Sequence, residues 1–227
     1  ESIKIRYARF SGHKVPPPKI APDPVIQTHK QLEVKGPGET TFIELSWRAP
    51  AATNPDFFAL TVLDSLLTGP SSLNMFGGGG ISNKTSRLYK ALVEKEIAVS
   101  VVGSLQATVD PYLYNITITV RPDRDAAMVL KAVETEINRL LDTPVAQTEI
   151  DRAVKQARAL FTYGSENITN QAFWLGYSEM FDQYNWFLEY VNRLTAVNPA
   201  LLMEKAREIL ETSHRVTGIY IPEGGEA

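Results

Sequence analysis

Apolar and polar residues alternate over short runs in the first half of the chain. The longest run covers residues 112–120, where Tyr114, Ile116 and Ile118 share one side and Asn115 lies on the other. A period of two predicts β-strands, each with one buried face. We therefore predict strands around Leu32–Val34 and over 42–47, 97–105, 112–120 and 216–221.

The remaining pattern has the period of a helix. Asn54 and Asn198 each precede a Pro, an arrangement typical of helix starts. Strands concentrated early and helices late predict an α+β fold, an antiparallel sheet covered on one face by helices. We predict helices over 55–68, 86–96, 171–181, 186–194 and 199–210, one capped by Asp123, and one opened by a capping box of Thr148 and Asp151.

Residues 11–26 contain five Pro in sixteen positions, which favours an extended arm. We predict a linker over 1–26 and one folded domain over 27–227. Because the chain starts at Glu1 and not at Met, we expect a fragment or a processed chain of a longer subunit.

The composition excludes several kinds of catalytic and metal site and argues against some classes of partner. The 227 residues carry a net charge of −3 and no Cys, which excludes disulfides, Cys-ligated metals and cysteine nucleophiles. The mildly acidic balance argues against a nucleic-acid partner. No apolar run approaches the length of a membrane span, so we expect a soluble protein, either cytoplasmic or periplasmic.

No metal site is predicted in this chain. A helical zinc pair needs two His four residues apart, whereas His13, His29 and His214 are far apart in sequence. The acidic pairs Asp123/Asp125 and Glu149/Asp151 fall at predicted helix starts, where negative charge complements the helix dipole.

Four consecutive glycines, Gly77, Gly78, Gly79 and Gly80, follow Met75 and Phe76. The later Lys84-Thr85 does not complete a phosphate loop, because Asn83 stands where that motif needs Gly. Two interpretations stay open: a plain connector, or a loop that contacts a ligand through its backbone and its two apolar residues. The aromatic-rich stretch from Trp174 to Tyr190 is typical of a core or an interface.

The order of motifs resembles the C-terminal half of a pitrilysin/insulinase-like zinc peptidase subunit, one of the inverzincins. The matching segments are FFALTVLDSLLTG (57–69), SRLYKALVEKEIAVSVV (86–102), EIDRAVKQARALF (149–161), LEYVNRLTAVNPALLMEKAREIL (188–210) and RVTGIYIPE (215–223). The resemblance implies the α+β sandwich of mitochondrial-processing-peptidase-like metallohydrolases. In that family, paired halves enclose an unfolded peptide.

The departures from the family are informative. The chain lacks His-x-x-Glu-His, the motif that binds zinc in this family. The family's substrate-binding Arg and Tyr fall at Val93 and Val99, which cannot donate a hydrogen bond, with one residue deleted between them. Arg87 and Tyr89 match the Ser-Arg-Leu-Tyr framework instead. The resemblance therefore implies no catalytic residue and no zinc in this chain, with Zn²⁺ in a partner.

A glycine-rich loop at the position of Gly77–Gly80 also occurs in the non-catalytic subunit of mitochondrial processing peptidase, where it is linked to substrate capture. The resemblance thus implies a substrate-binding loop formed by Met75, Phe76 and the four glycines. We expect a non-catalytic domain that pairs with a zinc-bearing subunit or N-terminal half and helps to hold a peptide, and that alone cleaves nothing. Two alternatives stay open: a purely structural subunit, or the C-terminal half of a single-chain active peptidase.

Overall fold

A central five-stranded sheet follows from the alternating segments. The computed structural model describes residues 2–8, 21, 24, 27–73 and 83–224. Ile43, Leu45 and Trp47 are fully buried, while the intervening Phe42 and Glu44 are exposed. The strands are β1 (Lys30–Gly36), β2 (Phe42–Ala49), β3 (Ala98–Leu105), β4 (Tyr112–Val120) and β5 (Val216–Pro222).

The sheet order is β1-β5-β2-β4-β3. The last strand of the chain inserts between β1 and β2, so it pairs parallel with β1 and antiparallel with β2. All other pairs are antiparallel. The predicted α+β fold is confirmed, with one parallel pair that results from this insertion.

Helices cover one face of the sheet. They are α2 (Asp56–Leu67), α3 (Ala126–Asp142), α4 (Gln147–Ser165), α5 (Ile168–Phe181), α6 (Tyr184–Thr195) and α7 (Pro199–Ile209), while a further short helix, α1 (Ser2–Tyr7), buries none of its residues. Short turns of helix occupy Pro70–Leu73, Tyr89–Val93 and Thr212–His214. Every residue of α2 from Phe57 to Leu67 is buried, so this helix lies at the centre of the core. In α3 and α6, by contrast, only one stripe is buried.

Several local predictions were wrong. The N-cap of α3 is Asp125 and not Asp123, because the Asp125 side chain accepts from the Ala127 amide. Asp123 instead pairs with Arg121 and Arg124.

The predicted capping box does not form, because α4 starts at Gln147, before Thr148, and the Gln147 side chain donates through Nε2 to the Asp151 carboxylate. The helix predicted over 86–96 contains a π-helical turn at Tyr89–Val93 and ends in a turn at Glu96, which has φ of +55°.

The prediction that β1 buries one face was also wrong. Leu32 and Val34 are exposed, and so are Gln31 and Glu33 on the other side. β1 lies at the edge of the sheet, where the helical layer does not reach it. The domain start at residue 27 stays a prediction, because most of the Pro-rich arm lies outside the described residues.

Candidate functional site

One face of the sheet is covered by none of the described helices, and we call it the open sheet face. Its members follow from the strand register, since Phe42 pairs with both Tyr220 and Thr119, and Tyr220 pairs with Val34. The open sheet face comprises Lys30, Leu32 and Val34 of β1, Val216, Gly218 and Tyr220 of β5, Phe42, Glu44, Ser46 and Arg48 of β2, Leu113, Asn115, Thr117 and Thr119 of β4, and Ser100, Val102 and Ser104 of β3.

An apolar corner occupies one side of this face. The Phe42 and Tyr220 rings lie 6.4 Å apart, and Val34 is the neighbour of Tyr220 on the outer strand. The Tyr220 hydroxyl donates to the Pro37 carbonyl at 2.8 Å, which fixes the ring. Val102 and Leu113 are exposed at the opposite side.

Polar side chains separate the two apolar areas. Glu44 pairs with Thr117 and Ser46 with Asn115 across β2 and β4. The Asn115 Oδ1 atom is buried and accepts no hydrogen bond from the described residues. Hydrogen-bonding groups between apolar patches can contact the alternating side chains of an extended peptide.

The glycine-rich segment begins and ends beside β3. Leu73 is buried before the segment, and after it the Asn83 amide donates to the Val101 carbonyl at 3.2 Å. Gly69, at φ of +113°, packs against Asn83 so closely that a Cβ would collide with it. Met75, Phe76 and Gly77–Gly80 lie outside the described residues, so their role stays a prediction.

Val93 and Val99, the two positions that the family resemblance predicts to contact substrate, differ in burial and in local structure. Val93 ends the π-helical turn and packs half-buried against the core. Val99 sits at an irregularity of β3, between Ala98 and Ser100, and is exposed. Glu96 lies between them in the left-handed conformation, which normally favours glycine. The connection between Val93 and Val99 therefore passes through a strained residue.

The framework residue Arg87 joins two elements. Its guanidinium donates to both oxygens of Glu149 at 3.2 and 3.4 Å. The contact fixes the start of α4 beside the π-helical turn. Arg87 thus has a structural partner in this domain.

A buried polar cluster under the sheet was missed by the sequence reasoning. The Asp64 carboxylate accepts from the Tyr114 hydroxyl at 2.7 Å and from the Thr68 hydroxyl at 2.8 Å. Burial, and then the Asp64 charge, raise the pKa of Tyr114 well above its usual range. A Cβ at Gly103 would collide with both Asp64 and Thr68. The signal was a carboxylate beyond the first turn of α2, within a mostly apolar stretch of that helix.

The histidines stay apart where the structure describes them. His29 Nε2 lies 2.9 Å from the Thr217 hydroxyl, and burial and then the Arg215 charge lower the pKa of His29. His214 lies near Glu211, and His13 is outside the described residues. Within residues 27–73 and 83–224, no three His, Asp or Glu side chains gather closely enough to hold a metal ion.

No helix in the described part of the chain combines the length and apolar character needed to cross a membrane.

The element order, the five-stranded sheet and its single helical layer define a two-layer α+β domain of the type predicted for half a pitrilysin-like peptidase. The sequence model of the peptidase M16 inactive domain matches residues 4–157. The chain therefore belongs to the peptidase M16 family as an inactive domain, which confirms the predicted resemblance. No curated protein sequence matches it.

Solved structures share this fold. A protease from Helicobacter pylori has a TM-score of 0.80 at 18% identity, over 93% of this chain and 48% of that one. The inactive peptidase domain of a protein described as a zinc protease, from Bordetella parapertussis, has a TM-score of 0.71 at 22% identity, over 86% and 97%. The periplasmic protease PqqL of Escherichia coli has 0.62 at 14%, over 87% and 21%. This chain spans about half the length of the Helicobacter pylori protease.

Proposed function

We propose that this domain is the non-catalytic half of a heteromeric zinc peptidase. It pairs with a zinc-bearing half and helps to enclose an extended peptide. The observation that carries the proposal is the open sheet face, which no described element covers and which combines apolar and hydrogen-bonding side chains. Membership in the inactive-domain class supports the assignment of the chemistry to the partner.

Side-chain chemistry supports assigning catalysis to the partner half and peptide binding to this chain. Val93 and Val99 offer no donor to a peptide carbonyl or an oxyanion. A zinc ion in the partner half would activate the attacking water. The residues of this chain would bind the peptide and orient it toward that half.

The strand edges suggest how a peptide binds. At the β3 edge, the Val101 carbonyl is already taken by Asn83, and the strand is irregular between Ala98 and Ser100. Among the described residues β1 pairs with β5 alone, so its other edge would be available to an added strand. An added strand there would lie beside Leu32 and Val34.

The glycine-rich segment would contribute further contacts. Its anchors, Leu73 and Asn83, bring it to β3 at one margin of the sheet. Met75 and Phe76 would supply apolar contacts, and Gly77–Gly80 would expose backbone groups to the peptide.

Photocrosslinking in the full-length protein with its zinc-bearing half tests the open sheet face. A benzophenone amino acid at Phe42 is expected to label an unfolded, fluorescein-tagged peptide with alternating apolar and polar residues. The same group at Met128, an exposed residue on α3, is the control. Equal labelling at the two positions would contradict peptide binding on this face.

A second test separates binding from scaffolding. The double substitution Met75→Ser/Phe76→Ser removes the two apolar side chains without changing the segment length. Peptide capture and cleavage are expected to fall about tenfold while the two halves still co-elute. Unchanged turnover would favour a purely structural role, with Met128→Ser as the matched control.

The length comparison supports the alternative in which the two halves belong to a single chain. Because the Helicobacter pylori protease is about twice as long as the matched region, both halves could lie in one polypeptide here too. The complete reading frame decides between one chain and two. A full-length protein with no zinc half, in its own chain or bound to it, would refute the proposed function.

A further inference from the structure

A second uncovered surface lies on the outer side of α5. Between Arg158 and Arg193 the chain has no Lys, Arg or His, and its only charged residues are Glu166, Glu179, Asp182 and Glu189. Within this stretch α5 buries only Ser178 and Phe181. Trp174, Leu175 and Tyr177 are half-buried, and the side of the helix opposite to them exposes several apolar residues to solvent.

The exposed residues share one side of the helix. Ile168, Phe173 and Met180 are 79%, 59% and 72% exposed. Ala172 and Gly176 lie between them at helical spacing, and a Cβ on Gly176 would meet no atom within 4 Å. Small residues flanked by large ones form a shallow depression into which a neighbouring helix can fit. We call these five residues the α5 face; Thr169 and Glu179 are exposed on the same side of the helix.

The α5 face is held on a rigid base. On the inner side of the helix, the Tyr177 hydroxyl donates to the Ala107 carbonyl at 3.0 Å. Phe181 packs edge-on against Trp186 at 5.0 Å, and the Trp186 indole donates to the Ala52 carbonyl at 2.8 Å. The exposed side chains therefore project from a fixed helix, so little order has to be gained when a partner binds.

We propose that the α5 face is the surface to which the zinc-bearing half docks, through an apolar segment flanked by Lys or Arg. This inference rests on the proposed function and assigns the pairing surface to α5, while the open sheet face is left to the peptide. Exposed apolar patches of this kind mark interaction sites.

Charge identifies the kind of occupant. The acidic residues Glu166, just before α5, and Glu179, exposed on α5 itself, favour a partner with basic flanks and disfavour a second copy of the same face, because like charges would oppose each other. The Helicobacter pylori protease shows that a chain with this fold can continue into a second part of similar size. A second family half is thus a partner of the right size.

Helix α1 of this chain also combines apolar and basic residues, like the partner segment proposed above. Helix α1 carries Ile3, Ile5 and Tyr7 with Lys4 and Arg6, and none of its residues is buried. It makes no extensive contact with the other elements of the described chain. The test must therefore separate α1 from the partner half.

Oxidation of methionines already present in the chain can report whether the α5 face is covered. Methionine oxidation follows solvent exposure. In this domain without a partner, the Met180 side chain is more exposed than that of Met128, at 72% against 49%. In the full-length protein with its zinc-bearing half, treated with hydrogen peroxide and read by mass spectrometry, we expect Met180 to oxidise at least about tenfold more slowly than Met128.

A substitution on the α5 face provides a second test in a variant that should still fold. Gly176→Leu fills the depression, and Leu is the better helix former, so the domain should remain folded. It is expected to restore Met180 oxidation to the rate of Met128. Ala127→Leu, which adds a similar side chain on the exposed start of α3, should leave the protection intact.

A charge variant provides an independent readout. Glu166→Lys/Glu179→Lys should weaken the docking about tenfold and release Met180, while Glu39→Lys/Glu94→Lys, with the same change of charge elsewhere, should not.

Three results would overturn the inference. They are a Met180 that oxidises as fast as Met128 in the intact protein, protection that disappears when residues 2–8 are removed while the zinc half stays bound, and protection that rises with protein concentration. If Met180 is reactive but Phe42 still crosslinks to a cleaved peptide, only the docking surface is wrong. If no zinc-bearing half exists, the proposed function fails as well.

Discussion

The open sheet face and the α5 face are both uncovered, but their chemistry differs. The first places Glu44, Ser46 and Asn115 between two apolar areas, whereas the second shows Phe173, Gly176 and Met180 with acidic residues around them. A surface rich in hydrogen-bonding groups suits a peptide that enters and leaves. An apolar surface suits a partner that stays, because long-lived interfaces are more apolar.

The layers beneath the two faces differ as well. Under the sheet lies the polar cluster of Asp64, Thr68 and Tyr114. Beside α5 lies an aromatic cluster that includes Phe181, Trp186 and Tyr190. The buried polar groups under the sheet must all be hydrogen-bonded. Substitutions there should therefore destabilise the domain more than substitutions in the aromatic cluster beside α5.

A substitution at Gly103 should have the greatest effect, because it would disturb the sheet that carries the open sheet face. Gly103→Ala places a methyl group against Asp64 and Thr68 and should lower the free energy of unfolding by about 3 kcal/mol or more. Urea unfolding measures it. Gly218→Ala is the control, because a Cβ there meets nothing within 4 Å. Equal stability of the two variants would show that the Asp64 cluster is not tightly packed.

A crossed pair of substitutions sharpens the functional difference between the faces. Phe42→Ser should weaken peptide binding about tenfold, or 1.4 kcal/mol, with pairing unchanged. Phe173→Ser should weaken pairing by a similar factor with peptide binding unchanged. Both residues are exposed, so each change should cost about 1 kcal/mol of stability or less. Fluorescence anisotropy and analytical ultracentrifugation separate the two effects, and a variant that alters both would contradict the division.

Alkaline unfolding compares the two supporting layers through one tyrosine in each. Burial raises the pKa of both Tyr114 and Tyr190. Since the folded state holds these protons more tightly, their stabilisation is present below pH ~10 and is lost as the pH rises toward the folded pKa. Each should contribute a slope of about 1.4 kcal/mol per pH unit in that window.

Urea unfolding between about pH 9 and 11 measures this slope. Tyr114→Phe and Tyr190→Phe should each reduce it, whereas Tyr163→Phe, at an exposed position, should not. An unchanged slope in both buried variants would mean that neither tyrosine resists ionisation.

The smallest effect is expected where the helical layer meets β3. Glu96→Gly relieves the left-handed conformation and should raise stability by about 0.5–1 kcal/mol. Glu94→Gly should lower it by a similar amount, because Glu94 has ordinary helical angles. Thermal unfolding of the two variants gives the signs, and the same sign in both would refute the strain at Glu96.

Local patterns predicted most of the elements correctly. The alternation in 112–120 gave β4, and Asn198-Pro199 gave α7, whose first turn is capped by the Asn198 side chain. The misplaced cap of α3 is also local, since Asp123 and Asp125 are both good caps and only the turn geometry selects Asp125. The motif order also predicted the family, which the match over residues 4–157 confirms.

The candidate site was less predictable. Nothing local tells Leu32 and Val34 of β1 from the buried residues of β2, because both runs alternate. Their exposure depends on where the helical layer ends. The aromatic stretch around Trp174 likewise left core and interface undecided, and the structure divides it, with Phe181 inside and Phe173 outside.

The sequence by itself determined the elements, the absence of cysteine and the family, because these depend on residue types and their spacing. The tertiary structure decided which faces remain bare and that Asp64 meets Tyr114 under the sheet. Burial is a property of neighbours from distant parts of the chain, and a pattern of period 2 or 3.6 identifies a face without saying what will cover it.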